Sequence, residues 1–253
     1  MKTLIVIPAR LESTRLPRKL LLAETGKPLL LHTIERAEEW AVRHQPELSA
    51  ALHVLVAADC ETIQVALTGY GWRGACLRTG EHPNGTSRMA EAAQRISDEW
   101  ECFGNVQADE PEIDPSLIDE VVTALEQHPE WDCATAALPL EKMSDAKNTN
   151  RVKAFMDAGN VAWHFSRDEW QPPRQAFNNV GVHIGIYAYR REALLRYAAA
   201  GPCEREQAES LEQLRALHIG LRMGVVLTDK QSHGIDTRED YDNFVKRYNA
   251  SRP

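Results

Sequence analysis

Short apolar runs alternate with amphipathic stretches through the first half of the chain. Residues 3–7 are apolar after Thr3 and predict a buried strand, and residues 28–43 place Leu29, Ile34, Ala37 and Ala41 at helical spacing. Residues 54–58 predict a second strand, followed by a helix from about Glu61, and residues 75–77 a weaker strand. A helix over 86–100 carries Met89, Ala93 and Ile96 on one side, and residues 103–107 return to strand. A helix over 115–127 opens with Asp114 at its cap and Pro115 at its first position. Alternation of this kind predicts an α/β fold, a mostly parallel central sheet with helices on both faces.

The pattern changes in the second half. Residues 152–156 and 161–165 flank Asp157-Ala158-Gly159, which reads as a hairpin turn. Strands are expected at 183–189 and 222–227, and a helix over 207–218 with Leu211, Leu214 and Leu217 inward. A last helix spans 237–249 with Thr237 as its cap. Together these describe a single α/β domain over 1–253, with a smaller, mixed and more antiparallel insertion at about 140–225.

Charge narrows the function classes. A net charge of −8 argues against a nucleic-acid binder, which needs a basic face. Five cysteines without a C-x-x-C pair read as reduced thiols of a cytoplasmic protein. No apolar run approaches the length of a membrane span, so membrane insertion is not expected.

Three stretches carry candidate chemistry. Ile7-Pro-Ala-Arg-Leu-Glu-Ser-Thr-Arg-Leu-Pro-Arg-Lys19 runs from a strand into a loop bearing Arg10, Arg15, Arg18 and Lys19. Ligands in open α/β sheets bind beyond the carboxyl ends of strands, and clustered cations there suit a triphosphate. It also reads as a solvated basic loop. Asn105-Val-Gln-Ala-Asp-Glu-Pro111 ends a strand in two carboxylates, which suits either magnesium or a turn before Pro111. Gly234-Ile-Asp-Thr-Arg-Glu-Asp240 offers Asp236 as a second metal carboxylate or as an Asx turn ahead of the helix.

The series I-P-A-R-x-x-S-T-R-L-P-x-K, T-G-x-x-x-x-G-T-x-R, Q-x-D-E-P, H-x-G-I-Y-x-Y-R, L-E-Q-L-R and G-I-D-T-x-E-D resembles the 3-deoxy-manno-octulosonate cytidylyltransferases, from about Leu4 to Tyr241. The resemblance implies a nucleotide-diphospho-sugar transferase-like fold, CTP and an acidic 2-keto-3-deoxy sugar as substrates, Mg2+ as cofactor, and a homodimer. It puts Arg10, Ser13, Arg15, Lys19, Arg78, Gly85, Thr86, Arg88 and Gln107 around the nucleotide. Asp109 and Asp236 match the metal carboxylates, and Lys19, Arg10 and the two aspartates carry catalysis. Arg167, His183, Tyr187, Glu212 and Gln213 fall on the sugar-contacting motifs, within the 140–225 sugar-binding and dimerisation subdomain.

This chain departs from the family pattern in places. Arg18 and Ala108 stand where glycine is usual, Val182 stands where arginine is common, and residues 169–173 differ after the F-S-R motif. Most of these changes fall on the sugar side, so an 8-amino-octulosonate or a sialic-type acid remains an alternative substrate. A non-catalytic nucleotide-binding regulator is the alternative of a different class.

Overall fold

The structure is a computed structural model that describes residues 1–44, 53–169 and 179–251. In chain order the elements are β1 (Thr3–Ala9), α1 (Leu29–His44), β2 (Val54–Ala58), α2 (Glu61–Gly69), β3 (Ala75–Arg78), α3 (Gly85–Arg95), β4 (Cys102–Asn105) and α4 (Pro115–Gln127). The second half adds β5 (Cys133–Pro139), α5 (Met143–Lys147), β6 (Lys153–Met156), β7 (Ala162–Ser166), β8 (Val180–Arg190), α6 (Arg191–Ala200), α7 (Glu204–Glu209), α8 (Gln213–His218), β9 (Met223–Leu227) and α9 (Arg238–Ala250). The fold is α/β, as the alternation predicts, with the antiparallel strands β6, β7 and β8 inside the 140–225 stretch.

The chain divides into two compact units. One comprises Leu4–Ala92, Asn105–Ser116 and Ser232–Pro253, and the other Met1–Thr3, Ala93–Gly104 and Leu117–Gln231. In the first, the strand order is β3-β2-β1 and every pairing is parallel, Ile5 lying opposite Val54 and Leu55 opposite Ala75. β1 and β2 are almost wholly buried, which explains their unbroken apolar sequence. α1 packs the predicted stripe inward, with Leu29, Ile34, Ala37 and Ala41 fully buried.

A second apolar cluster of this unit matters for function. Leu16, Leu29, Ile235, Tyr241 and Phe244 pack together, flanked by Leu22, Val245 and Tyr248. It anchors the loop after β1 and the segment before α9, the two stretches that carry Lys19 and Asp236. Thr237 caps α9, accepting from the Asp240 amide at 3.2 Å while the Asp240 carboxylate accepts from the Thr237 amide at 2.8 Å.

In the other unit the order is β4-β8-β5-β9, with β6 on β8 and β7 on β6. β5 runs parallel to β9 and antiparallel to β8, with a register shift between Thr135 and Ala136. The β6–β7 hairpin turns where the sequence placed it. Asp157 Oδ1 accepts from the amides of Gly159 and Val161 at 2.8 and 2.9 Å, and Asn160 takes the left-handed backbone at φ 57°.

Three expectations are corrected. The helix over 86–100 ends at Arg95, and the strand over 103–107 ends at Asn105. The helix over 207–218 is two short helices, α7 and α8, because Ser210 takes the left-handed region at φ 53°. A straight helix would present Leu211, Leu214 and Leu217 inward, whereas here Gln213 and Arg215 are buried with Leu211 and Leu214. β5, α5 and α6 were not anticipated. Among the described residues no helix is long and apolar enough to cross a membrane.

Gly224 shows how tightly the β9 face is packed. A Cβ there would fall onto the Trp131 indole, which stacks on His128 at a centroid distance of 4.0 Å. Gly224→Ala should therefore destabilise the protein by about 1–3 kcal/mol through overpacking. Urea midpoints would check this, with Trp131→Leu in the same chain expected to recover part of the loss.

Candidate active site

The loop after β1 begins at Arg10, an exposed cation, and is pinned at its start by an unanticipated residue. Both carboxylate oxygens of Asp59, which follows β2, accept from the Leu11 amide at 3.1 Å. Leu16 then enters the apolar cluster, and Arg18 turns the chain through the left-handed region at φ 52°. That conformation suits glycine, the residue usual at this position in the family that the sequence resembles. A single 3₁₀ turn over Lys19–Leu21 follows and carries the lysine inward.

Lys19 is the centre of the site. Its ammonium donates to Asp109 Oδ2, to the Ile235 carbonyl at 2.7 Å and to Asp236 Oδ1 at 3.5 Å. Arg15 Nη2 donates to the same Asp236 oxygen at 2.7 Å. The Lys19 side chain is 11% exposed and that of Asp109 27%, whereas Asp236 is 45% exposed and Arg15 64%. The cluster is thus enclosed at Lys19 and open to solvent at Arg15.

The two aspartates arrive from different segments, 127 positions apart in the chain. The Ile235 amide donates to the Asp109 carbonyl at 2.9 Å, which joins those segments directly. Beside them, the Glu110 carboxylate accepts from Ser232 Oγ. Burial first, and the charges of Asp109 and Asp236 after it, raise the Glu110 pKa to about 7 against the opposing Ser232 bond and Lys19. Glu110 was visible only as the neighbour of Asp109 in the D-E-P stretch.

The other nucleotide candidates gather around the start of α3. Asn84 Oδ1 caps that helix, accepting from the Ser87 amide at 2.8 Å. A Cβ on Gly85 would sit 3.2 Å from Pro8 Cγ and 3.4 Å from Gln107 Nε2, so the backbone lies against both. Asn105 donates to Thr86 Oγ1 at 3.4 Å, and Gln107 donates to Asn105 Oδ1 at 3.3 Å. Arg88 is buried and donates to Thr79 Oγ1 at 2.5 Å and to the Gly80 carbonyl at 3.2 Å, so it braces the stretch leading to Gly85. Arg78 closes β3 opposite Ala58, and Ser13 is half-buried within the loop after β1.

Ala108 is buried, its carbonyl accepts from Thr33 Oγ1 at 3.0 Å, and its φ is not positive, so alanine fits without strain. The residues that would hold a divalent cation fit that role by their chemistry. Magnesium takes one or two carboxylates plus substrate phosphate oxygens, and the Asp109–Asp236 pair already embraces a cationic ammonium. Among the described residues no cluster of three or more His, Cys, Asp or Glu side chains is arranged to hold a metal without such help.

The sugar candidates lie in the other unit. His183 pairs with Thr135 Oγ1 at 3.0 Å and packs edge-on against Phe165 at 5.1 Å. Tyr187 stands 5.6 Å from the His183 ring and donates to Gln213 Oε1 at 3.3 Å. Glu212 precedes α8, and its carbonyl accepts from Tyr197 OH at 3.3 Å. Arg167, just past β7, donates to the Asn150 carbonyl at 3.4 Å, and its own carbonyl accepts from the buried Lys153 ammonium at 2.9 Å. Lys153 and the Glu206–Arg215 pair were missed; in α7 and α8 the latter is a buried two-point ion pair at 2.7 and 2.6 Å. Val182 is packed in an apolar cluster with Leu140, Ala146, Phe155 and Val180. Of residues 169–173, only Glu169 lies within the described residues.

A cytidylyltransferase family model matches residues 4–224. The chain is also 40% identical to a 3-deoxy-manno-octulosonate cytidylyltransferase of Rhodopirellula baltica, over 98% of both chains. The chain belongs to that family. A member from Nitratiruptor sp. is 39% identical over 98% of this chain and 99% of its own. A solved CMP:2-keto-3-deoxy-manno-octonic acid synthetase, complexed with CTP, superposes with a TM-score of 0.85 at 31% identity over the whole of both chains. A cytidylyltransferase from Leptospira borgpetersenii shares the fold at a TM-score of 0.64 and 17% identity, over 100% of this chain and 89% of its own. The family is one of nucleotidyltransferase enzymes, so this chain is an enzyme of that class.

Within this cytidylyltransferase, His183 gives a pH signature. Burial, then the nearby Arg167 charge, lowers its pKa to about 3. A histidine held neutral when folded contributes stability that is present above its unfolded pKa of about 6.5 and lost as pH falls toward the folded value. Between those limits His183 should add a slope of up to about 1.4 kcal/mol per pH unit. Urea denaturation from pH 7 to 4 should show that slope and lose it in His183→Asn; an unchanged slope would place the ring's proton elsewhere.

Proposed function

We propose that this chain transfers CMP from CTP to the anomeric C2 hydroxyl of 3-deoxy-manno-octulosonate and releases pyrophosphate. The observation that carries the reading is the meeting of Lys19 and Arg15 with Asp109 and Asp236, on segments that also match the family motifs. Phosphoryl transfer needs positioning and charge stabilisation more than covalent chemistry from the protein.

The residues divide that work. Arg10, Arg15 and Lys19 bind the triphosphate, and Lys19 with Arg10 stabilises the departing pyrophosphate. Gly85, Thr86, Arg78, Arg88 and Gln107 shape the nucleotide end, where the absent Cβ of Gly85 lets Pro8 and Gln107 close on the backbone. Asp109 and Asp236 hold magnesium, which when bound shields phosphate charge and acidifies the attacking hydroxyl.

In the 140–225 stretch, Arg167 pairs with the sugar carboxylate, as a guanidinium does well through two parallel bonds. Glu212 reads hydroxyls, and His183, Tyr187 and Gln213 form the polar wall beside it. The neutral imidazole of His183 can accept or donate there without adding charge. The reading extends to a cytoplasmic homodimer, supported by five free thiols and by the general frequency of two-fold assemblies.

The test is pyrophosphate release by purified protein with CTP, magnesium and 3-deoxy-manno-octulosonate, with the 8-amino analogue and N-acetylneuraminate in parallel. Octulosonate-dependent release, abolished by a chelator, is the expected result. Asp109→Asn and Asp236→Asn should each lower turnover by about 100-fold or more, in proteins whose unfolding free energy in urea stays within about 1 kcal/mol of wild type. Folded protein that binds CTP but releases no pyrophosphate with any acid would make the regulator the better reading.

A further inference from the structure

Lys19 stands where a cation is required, yet the proposed function gives it a second destination. All three donors of its ammonium are directed at Asp109 Oδ2, the Ile235 carbonyl and Asp236 Oδ1, so none is left for a phosphate. The two carboxylates that would hold magnesium are the same two that embrace this ammonium. With Arg15 on Asp236 as well, two positive charges already face two negative ones.

A divalent ion entering beside that arrangement would meet like charge at contact distance. Like charges a few ångströms apart near a protein surface repel, and a dication doubles that repulsion. A polyphosphate changes the balance, because it offers the ammonium another anion and offers the metal further oxygens. The lysine stem is flexible enough to make the exchange, unlike a fixed guanidinium fork.

We propose that the Lys19 ammonium is the resident cation of the Asp109–Asp236 pair and excludes a divalent ion until a polyphosphate draws it away. Metal and nucleotide then enter together, and the pair never stands uncompensated. This rests on the magnesium- and CTP-dependent reading above.

The probe is Mn2+ alone, its free concentration followed by electron paramagnetic resonance on the full chain without nucleotide. Lys19→Gln should bind Mn2+ on the order of tenfold or more tighter than wild type, while Lys19→Arg, which keeps the charge, should not gain. The gain should vanish in Lys19→Gln combined with Asp109→Asn, which locates it at this pair. Chelator-treated Lys19→Gln should melt below wild type and be restored by Mn2+, a readout independent of turnover. Equal or weaker Mn2+ binding by Lys19→Gln overturns the proposal. If the variants do not fold, wild type decides it: one Mn2+ bound per chain as tightly without CTP as with it overturns the exclusion, and a clear requirement for CTP supports it. Wild type that fails to turn over with CTP and any of the acids would defeat the underlying reading instead.

Discussion

Two carboxylates brought together at the end of a strand and the start of a helix repel each other, and the local structure answers that repulsion. Asp109 follows β4, and Asp236 precedes the Thr237 cap of α9. The backbone bond from the Ile235 amide to the Asp109 carbonyl holds the two segments together, so the charges cannot move apart. Lys19 is the compensation, and its enclosed ammonium satisfies an Ile235 carbonyl as well as both acids. Apolar packing supplies the leverage. Leu16 and Ile235 lie in one cluster, and each is next or close in sequence to a charged member of the site. Burying such side chains is worth roughly 1.5–3 kcal/mol each, which offsets the cost of ordering the charged loop.

The other unit solves a different problem, the burial of polar groups. Thr135 Oγ1 lies 2.7 Å from the Ile186 carbonyl and 3.0 Å from His183 Nε2, at the place where the β5–β8 register shifts. Tyr187 finds Gln213, and Gln213 is held by α8, whose position depends on the Glu206–Arg215 pair. A buried ion pair contributes little net stability compared with apolar packing, but losing one partner is costly. It therefore acts here to fix geometry: α7 and α8 are locked across the Ser210 turn, and Glu212 and Gln213 are set at the beginning of a helix instead of along its middle.

Much of this was legible in the chain. The buried strands, α1 and α4 were readable because their apolar periodicity coincides with their secondary structure, and Thr237 because its capping box is local. The motif residues of the loop after β1 and of the D-E-P and G-I-D-T stretches were readable as chemistry, and the structure brings Arg15, Lys19, Asp109 and Asp236 together. What escaped depends on tertiary contacts. The break at Ser210 was hidden because leucines at 211, 214 and 217 mimic a continuous stripe, while the decisive pairing joins Glu206 to Arg215. Asp59 was hidden because its partner is a backbone amide 48 positions away. Lys153 was hidden because a lysine in a strand ordinarily faces water, and this one is buried against two carbonyls.

Arg18 shows how the loop accepts strain to reach its geometry. A non-glycine residue in the left-handed region costs on the order of 1 kcal/mol or more. On one side of it Leu16, 7% exposed, is held in the apolar cluster; on the other Lys19 is held by two carboxylates and a carbonyl. Leu16 and Lys19 are three positions apart and are joined by a bond from the Lys19 amide to the Leu16 carbonyl at 3.2 Å, while the Leu21 amide donates to the Arg18 carbonyl at 2.9 Å. A chain that must bury one side chain in oil and deliver the next-but-two to an anionic pair has to reverse between them. The left-handed residue makes that reversal, and the anchors on both sides hold it in place.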